Sequence, residues 1–457
     1  MSEPTGHKHR IRPHLPVAPV RRIVEPLARF LQIESASGLV LLASTIIALL
    51  LANTRAANGY EKFWHTHLAL DIGAFHLGGE LGHFFVNDVL MTIFFFFVGL
   101  EIKRELIAGE LRDPRKAALP VAAALGGMLV PAGLYAALQF GQAGAHGWGV
   151  PMATDIAFVV GVTALLGPRV PLGLKIMLLS LAIADDIGAV VVIAAFYSSE
   201  INYFMLLMAA GGICLTAILT EIGVRSTAVY ALVGCGVWLS MQKSGVHPTL
   251  AGVILGLMTP ATEWVSRHSL RLSISDLQAQ LASNVHEEVA VEDLELLAFA
   301  ARESVSPLER LEHMLHPWVG FLIMPLFALA NAGIAIDLAE LTNPVALAVA
   351  LGLLVGKPVG VIAFSIAAVK LGLARLPDGV SWRLLCGGGC LAGIGFTMSL
   401  FVGELAFRLE PSLLASAKIG TLAGSLCSAA AGTLVLALAL KDSRPIRSGQ
   451  DANGARQ

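Results

Sequence analysis

After about thirty residues with no apolar core, long apolar stretches alternate with short polar breaks almost to the end of the chain. A membrane-crossing helix needs about 20 predominantly apolar residues. Twelve stretches reach or approach that length, near 37–53, 86–106, 117–139, 151–166, 173–197, 203–222, 226–242, 247–260, 317–336, 344–369, 384–407 and 413–440. The pattern predicts an all-α polytopic membrane protein of twelve transmembrane helices. Residues 68–80 (LALDIGAFHLGGE) instead alternate apolar with polar or glycine positions, which predicts a small external β-hairpin. Residues 261–312 form a long polar loop in which Val289–Arg302 has the spacing of one short amphipathic helix. The plainer reading of that loop is a solvated linker between two bundles of spans.

Two spans break the pattern. The stretch from Met152 to Leu166 is bracketed by Gly149-Val150-Pro151 and Gly167-Pro168. As a straight helix it rises only about 23 Å, short of a hydrocarbon core about 30 Å thick. The other is interrupted by glycine, first at Gly387-Gly388-Gly389 and then at Gly393-Ile394-Gly395. Short or broken segments at matching places in two halves point to a transporter's substrate site. The halves show no evident sequence identity, so a repeat is a structural expectation.

Composition agrees with the pattern: 56% of the 457 residues are hydrophobic and only 14% are charged. A soluble domain carries about 25% charged residues, so this chain lacks the polar groups to cover a water-exposed surface. With 31 Lys+Arg against 33 Asp+Glu there is no basic excess for nucleic acid. Twenty-five of the 31 basic residues fall in one set of loops and tails, against five on the other side (Arg55, Lys62, Lys243, Arg408, Lys418). That bias supports an even number of spans with both termini in the cytosol. The chain then divides into a basic N-terminal tail (1–30), a transmembrane domain (31–440) containing the acidic cytosolic loop 261–312, and a C-terminal tail (441–457). The five cysteines lie in apolar runs and form no ligand cluster. No cofactor and no resident metal is expected.

An ionised side chain at the membrane centre costs at least ~2.5–3.5 kcal/mol, so those present need a reason. They are Asp88, Asp155, Asp185, Asp186 and Lys357, with Glu101 and Glu105 toward a cytosolic end. Asp185 and Asp186 are neighbours on one helix and point about 100° apart. One can face a cavity as ligand and the other a neighbouring helix, where Lys357 is the one intramembrane cation available. A plain buried salt bridge is the alternative for one of them. A break beside Asp155 would expose helix ends carrying about half a unit charge; an acid suits the positive ends, and Lys357 the negative ones. Thr154 offers a hard oxygen suited to an alkali cation, or else a cap or back-bond to its own helix. Carboxylates hold either a proton or a hard cation, so two of them in one dry cavity make the two compete. That competition is a mechanism for cation/proton exchange.

The runs MATDIAF (152–158), LAIADDIGA (181–189), KSGVHPTLAGV (243–253), RLEHMLHPW (310–318), LFALANAG (326–333), GKPVG (356–360), GIGFTMSLF (393–401) and GLEIKREL (99–106) resemble the NhaA family of bacterial sodium/proton antiporters. The resemblance runs in order from about residue 34 to 440. It implies the family's inverted repeats and two interrupted, crossing helices, and a secondary transporter, not an enzyme. The exchange implied is sodium, and also lithium, out of the cell against protons, electrogenic and pH-regulated, serving salt tolerance and pH homeostasis.

It implies that Asp186 binds the cation, with Asp185 as second titrating group, Thr154 beside them and Lys357 on Asp185 when sodium is absent. Asp155 and Lys357 would balance the ends of the crossing helices. Glu101, Glu105, Glu312, His313 and His316 match a cytosolic pH-activation cluster, His247 another position of the pH response, and Asp88 an accessory external acid. Taken alone, Glu312-His313 and His316 also read as interfacial residues or part of a metal site, and His247 as a helix-start residue. Sodium, protons, membrane lipid and a second copy in a homodimer are the expected partners. Three departures from the family are the longer, more acidic loop before Glu312, Met314 inside the cluster and the long basic N-terminal tail. The rival readings are a passive cation channel and an intramembrane aspartyl protease, whose two acids would have to come from different helices to face one water.

Overall fold

A computed structural model describes residues 34–72, 75–198, 201–283, 291–335 and 340–442. The expected tail 1–30, and all but the first two residues of the expected tail 441–457, lie outside these residues. The chain is a helical bundle with one two-stranded sheet. Its helices are α1 (Glu34–Ala52), α2 (Ala57–Trp64), α3 (Leu81–Ala108), α4 (Pro114–Leu138), α5 (Ile156–Leu165), α6 (Leu172–Phe196), α7 (Tyr203–Ile222), α8 (Thr227–Ser244) and α9 (Thr249–Met258). There follow α10 (Arg267–Ser283), α11 (Val291–Glu303), α12 (Pro307–Asn331), α13 (Pro344–Lys370), α14 (Trp382–Ala392), α15 (Phe396–Ala406) and α16 (Pro411–Asp442).

Each apolar stretch coincides with a helix or a broken pair. Seven described helices are long and apolar enough to cross a membrane, and up to ten spans result if each of three bent pairs counts as one. The other two stretches are α9, which is only 10 residues long, and α8, whose Gln242-Lys243 end dilutes its apolar run. The hairpin pairs β1 (His67–Ile72) with β2 (Phe75–Glu80), antiparallel.

Both irregular spans differ in detail from the sequence expectation. The first begins earlier, with a 3₁₀ segment Ala143–Met152 that meets α5 at a 45° bend. Glycines hide this segment from a hydropathy reading, yet they let it pack: a Cβ on Gly147 would lie 2.4 Å from the Tyr135 hydroxyl. In the second, Gly387-Gly388-Gly389 stay inside α14, and the break comes only at Gly393–Gly395, where α14 and α15 meet at 43°. The two broken spans are the fourth and eleventh of the twelve stretches. An odd separation of seven makes them run in opposite directions if the chain crosses alternately, as an inverted repeat requires.

Lipid offers no hydrophobic drive between helices, so close backbone approach through small residues has to hold them. On α9, a Cβ at Gly252 would lie 2.3 Å from the Thr92 carbonyl oxygen, and one at Gly256 2.5 Å from that of Phe96, both on α3. Between α4 and α13, a Cβ on Gly360 would lie 2.0 Å from the Gly126 carbonyl oxygen. We expect Gly252→Leu to destabilise the protein by at least ~1–3 kcal/mol through overpacking against backbone. A melting curve in detergent that matches the wild type would contradict this.

The loop 261–312 holds two helices, α10 and α11, where the sequence pattern showed one. It is anchored at Glu303, which pairs with Arg225 of the α7–α8 turn and with Arg310 at 3.3 Å. Burial opposes the charged form of Glu303, but hydrogen bonds and charge from the two arginines outweigh it and hold the carboxyl below its usual range.

Candidate functional site

The two breaks lie against each other. The Asp155 N–H donates to the Ile394 carbonyl at 2.7 Å, joining the breaks by their backbones. Two helix N-termini, those of α5 and α15, point at this place, and Asp155 serves both. Its carboxylate accepts from Phe158 N at 3.3 Å in α5 and from Thr397 N at 3.1 Å in α15, and it also takes the Thr397 hydroxyl. On the C-terminal ends, Lys357 Nζ donates to the Met152 carbonyl that closes the 3₁₀ segment. The Thr154 hydroxyl lies 3.0 Å from the Ala392 carbonyl that ends α14. Partial positive ends therefore meet an acid and partial negative ends meet donors.

Lys357 owes its place to the winding of α13. Residues Gly352–Gly356 form a π-turn directly before it; such turns recur at functional sites. The glycines allow the turn to press on neighbours: a Cβ on Gly352 would lie 2.6 Å from Pro151, and one on Gly356 2.8 Å from Pro131 Cα. The lysine is 0% exposed.

From there Lys357 Nζ reaches Asp185 Oδ2 at 2.5 Å, and the Thr154 hydroxyl reaches the same oxygen at 2.6 Å. Thr154 is thus neither a cap nor a back-bonded helix residue. Asp185 Oδ1 is buried without a hydrogen-bond partner. Asp186, one residue on, is 3% exposed. Among the described residues its carboxylate makes no hydrogen bond, and its charged neighbours are Asp185, Glu101, Lys357 and Asp155. Two sets of carboxylate oxygens with free lone pairs, Asp186 and Asp185 Oδ1, therefore lie side by side in a buried place.

We expect Asp155→Ala to cost at least ~1–2 kcal/mol, the usual worth of a lost cap, because two helix starts lose their acceptor. Asp155→Asn, which keeps one acceptor oxygen, should cost less. Equal melting temperatures for the two variants would contradict this account.

The remaining predicted residues form two separate groups. Glu101, Glu105 and Glu312 gather where α3 ends and α12 begins, with Arg104 paired to Glu312. Glu105 accepts from Glu110 N and from the Ser180 hydroxyl, both at 2.9 Å. Ser180 is five residues before Asp185 on α6, so it ties this group to the ion helix. His313 and His316 are exposed at the edge of the group, His316 edge-on to Phe97 with ring centres 6.0 Å apart.

His247 is elsewhere. It precedes α9, with Nδ1 2.8 Å from the Thr249 hydroxyl and its ring edge-on to Phe401. Its charged neighbours are His83 and Arg408, which also surround Asp88. Asp88 accepts from Gln242 at 3.3 Å and lies 3.7 Å from His83 Nδ1. Thr397, Ser180, Gln242 and His83 were not singled out from sequence. Only Thr397 carried a signal, its place directly after the Gly393–Gly395 break. A cavity of about 560 Å³ lies between α3, α7, α8, α9 and the start of α12, where Leu311, Met314 and Leu315 line it beside Glu312 and His313; its lining is mostly apolar, with Arg225, Glu303 and Arg310 among it.

Two broken helices crossing inside a multi-span apolar bundle, with an unpartnered carboxylate at the crossing, define an ion-coupled membrane transporter. Comparison with known proteins narrows the class. Residues 28–436 match the family model described as Na+/H+ antiporter 1. The chain is similar to a Na(+)/H(+) antiporter NhaA of Rhodopirellula baltica, 49% identical over 92% of this chain and 95% of that protein. It is also similar to one of Rhizobium meliloti, 49% identical over 94% of this chain and 98% of that protein. A Vibrio vulnificus relative, NhaA 2, is 46% identical over 92% and 94%. The solved sodium proton antiporter MjNhaP1 of Methanocaldococcus jannaschii aligns over 93% of this chain and 100% of its own, at 15% identity and a TM-score of 0.44. The chain belongs to the Na+/H+ antiporter 1 family. It is a sodium/proton antiporter, and so a transporter and not an enzyme. The channel and protease readings find no support. Asp185 and Asp186 leave one helix about 100° apart, not from two helices toward one water.

Proposed function

We propose that this chain expels sodium, and also lithium, across a bacterial inner membrane in exchange for protons, with both termini in the cytosol. The observation that carries the mechanism is the unequal treatment of the two acids: Asp185 is held by Lys357 and Thr154, while Asp186 is left free beside it. Sodium arriving at Asp186 draws on the free Oδ1 of Asp185 and on Thr154, and competes with Lys357 for Asp185. Protons reverse the competition. Access alternates by movement of the crossing helices, whose neutralised ends let the site exist in the membrane without a bound ion.

More protons than sodium ions cross per cycle, so each net charge gains about 2.3 kcal/mol per 100 mV. That drives roughly a fiftyfold sodium gradient. Glu101, Glu105, Glu312, His313 and His316 regulate the cycle by pH from the cytosolic end. His247 and Asp88 act from the external side.

The test uses everted vesicles from cells lacking other antiporters. Respiration acidifies the lumen, and a pH-sensitive dye reports the gradient when sodium, lithium or potassium is added. Collapse with sodium and lithium but not potassium is expected. No collapse between pH 6.5 and 9 would refute the proposal.

A further inference from the structure

The excursion between α9 and α12 is closed at its base. The N–H groups of Trp264 and Val265 both donate to the Glu303 carbonyl at 3.1 Å, and Arg225 lies 4.2 Å over the Trp264 ring. What projects beyond this base is apolar and acidic together. Along α11, Leu294, Leu296 and Phe299 are exposed beside the exposed acids Glu292 and Glu295. Residues 261–312 carry ten acids against four arginines.

The segment preceding α1 has the complementary character. Residues 1–33 hold six Lys+Arg (Lys8, Arg10, Arg12, Arg21, Arg22, Arg29) against Glu3 and Glu25. In its second half Val20, Ile23, Val24, Leu27, Phe30 and Leu31 recur at the spacing of one helix face, with Arg21, Arg22 and Arg29 between them. The fold also delivers this segment to the right side. Helix α1 runs parallel to α12: a Cβ on Gly320 would lie 3.0 Å from Ser37 Cβ, and Asn53 Nδ2 donates to the Ile334 carbonyl at 2.8 Å. The chain before α1 therefore leaves the bundle on the side where α12 starts, about 20 Å from Gly320 along the helix. The fourteen residues 20–33 span up to about 46 Å when extended, more than the distance to the start of α12, which follows α11 after a short turn.

We propose that the basic, apolar segment 20–33 docks on the acidic, apolar surface of α11 in the same chain. Its arginines face Glu292 and Glu295, and its aliphatic and aromatic residues cover Leu294, Leu296 and Phe299. The docked segment lies over the base at Glu303, and so next to the Glu312 end of α12.

The test uses the full chain, with its five cysteines replaced by Ala, in phosphatidylcholine nanodiscs holding one copy each. Arg22→Cys with Glu295→Cys is oxidised with copper phenanthroline, and Arg22→Cys with Lys62→Cys, beyond the opposite end of α1, serves as the distant control. Rapid disulfide formation for the first pair alone is expected. Arg21→Glu with Arg29→Glu should slow it roughly tenfold or more, the scale of electrostatic steering. Adding Glu292→Arg should restore part of it. Equal rates for both pairs, or no effect of charge reversal, would overturn the proposal. So would a segment protected from protease only when anionic lipid is supplied, which would make the membrane its partner. Disulfides that form only between chains, in discs holding two copies, would do the same.

Discussion

Asp186→Asn is expected to reduce sodium-dependent collapse of the pH gradient to the level of vesicles without the transporter. Asn keeps the shape of the side chain but removes the charge that offsets a cation in a dry site. Removing one partner of a buried charge pair costs about 3–5 kcal/mol, so sodium affinity should fall at least a hundredfold. The same substitution should not lower thermal stability, because the Asp186 carboxylate makes no hydrogen bond among the described residues and a buried unpaired charge is itself costly. That pairing of outcomes separates a ligand from a structural residue. Sodium-driven exchange by a folded Asp186→Asn protein would remove this carboxylate from the cycle.

Lys357→Met should act in the opposite way, through stability first. It leaves Asp185 charged and unpaired at 1% exposure, and the Met152 carbonyl without its donor. Breaking a buried pair from one side costs about 3–5 kcal/mol. Combining Lys357→Met with Asp185→Asn should recover much of that loss, since replacing both members of such a pair is often near neutral. Melting temperatures of the two single variants and the double variant in detergent provide the check. A double variant as unstable as Lys357→Met alone would mean that Lys357 acts through the helix ends and not through Asp185.

Transport by these variants would divide the two roles of the lysine. Asp185→Asn with Lys357→Met retains Asp186 and Thr154 but loses the competition between ammonium and sodium. Sodium binding without a lysine to displace should be tighter and its release slower. The expected readout is a lower apparent sodium constant with a lower maximal rate.

The linear pattern of apolar positions carried a large share of this. Hydropathy averaged over some twenty residues places most of the apolar helices, because lipid demands apolar side chains around each span and tolerates few exceptions. The exceptions then announce themselves. Asp155, Asp185, Asp186 and Lys357 were conspicuous in sequence because an unpaired charge has no place in hydrocarbon, and the structure gathers all four at one crossing. The hairpin at 67–80 was legible for the same kind of reason, since its period of two cannot be mistaken for a helix.

Azimuth and contact were not legible. Each residue turns a helix by about 100°, so averaging that finds a span says nothing of which side of it meets which neighbour. Whether Lys357 takes Asp185 or Asp186 depends on that angle, and the π-turn at Gly352–Gly356 alters it without altering hydropathy. His247 and the Glu312 group share a chemistry in sequence but lie in different places, His247 beside Asp88 and the glutamates where α3 ends. The glycines of Ala143–Met152 read as a loop, and those at 387–389 as a break, because sequence shows a missing side chain but not the neighbour that fills its space. The sequence alone determined that this is a multi-span antiporter with several carboxylates inside its apolar spans. Only the tertiary structure decided which carboxylate is held and which is left without a hydrogen-bond partner among the described residues, because that choice depends on rotation and close contact between helices far apart in the chain.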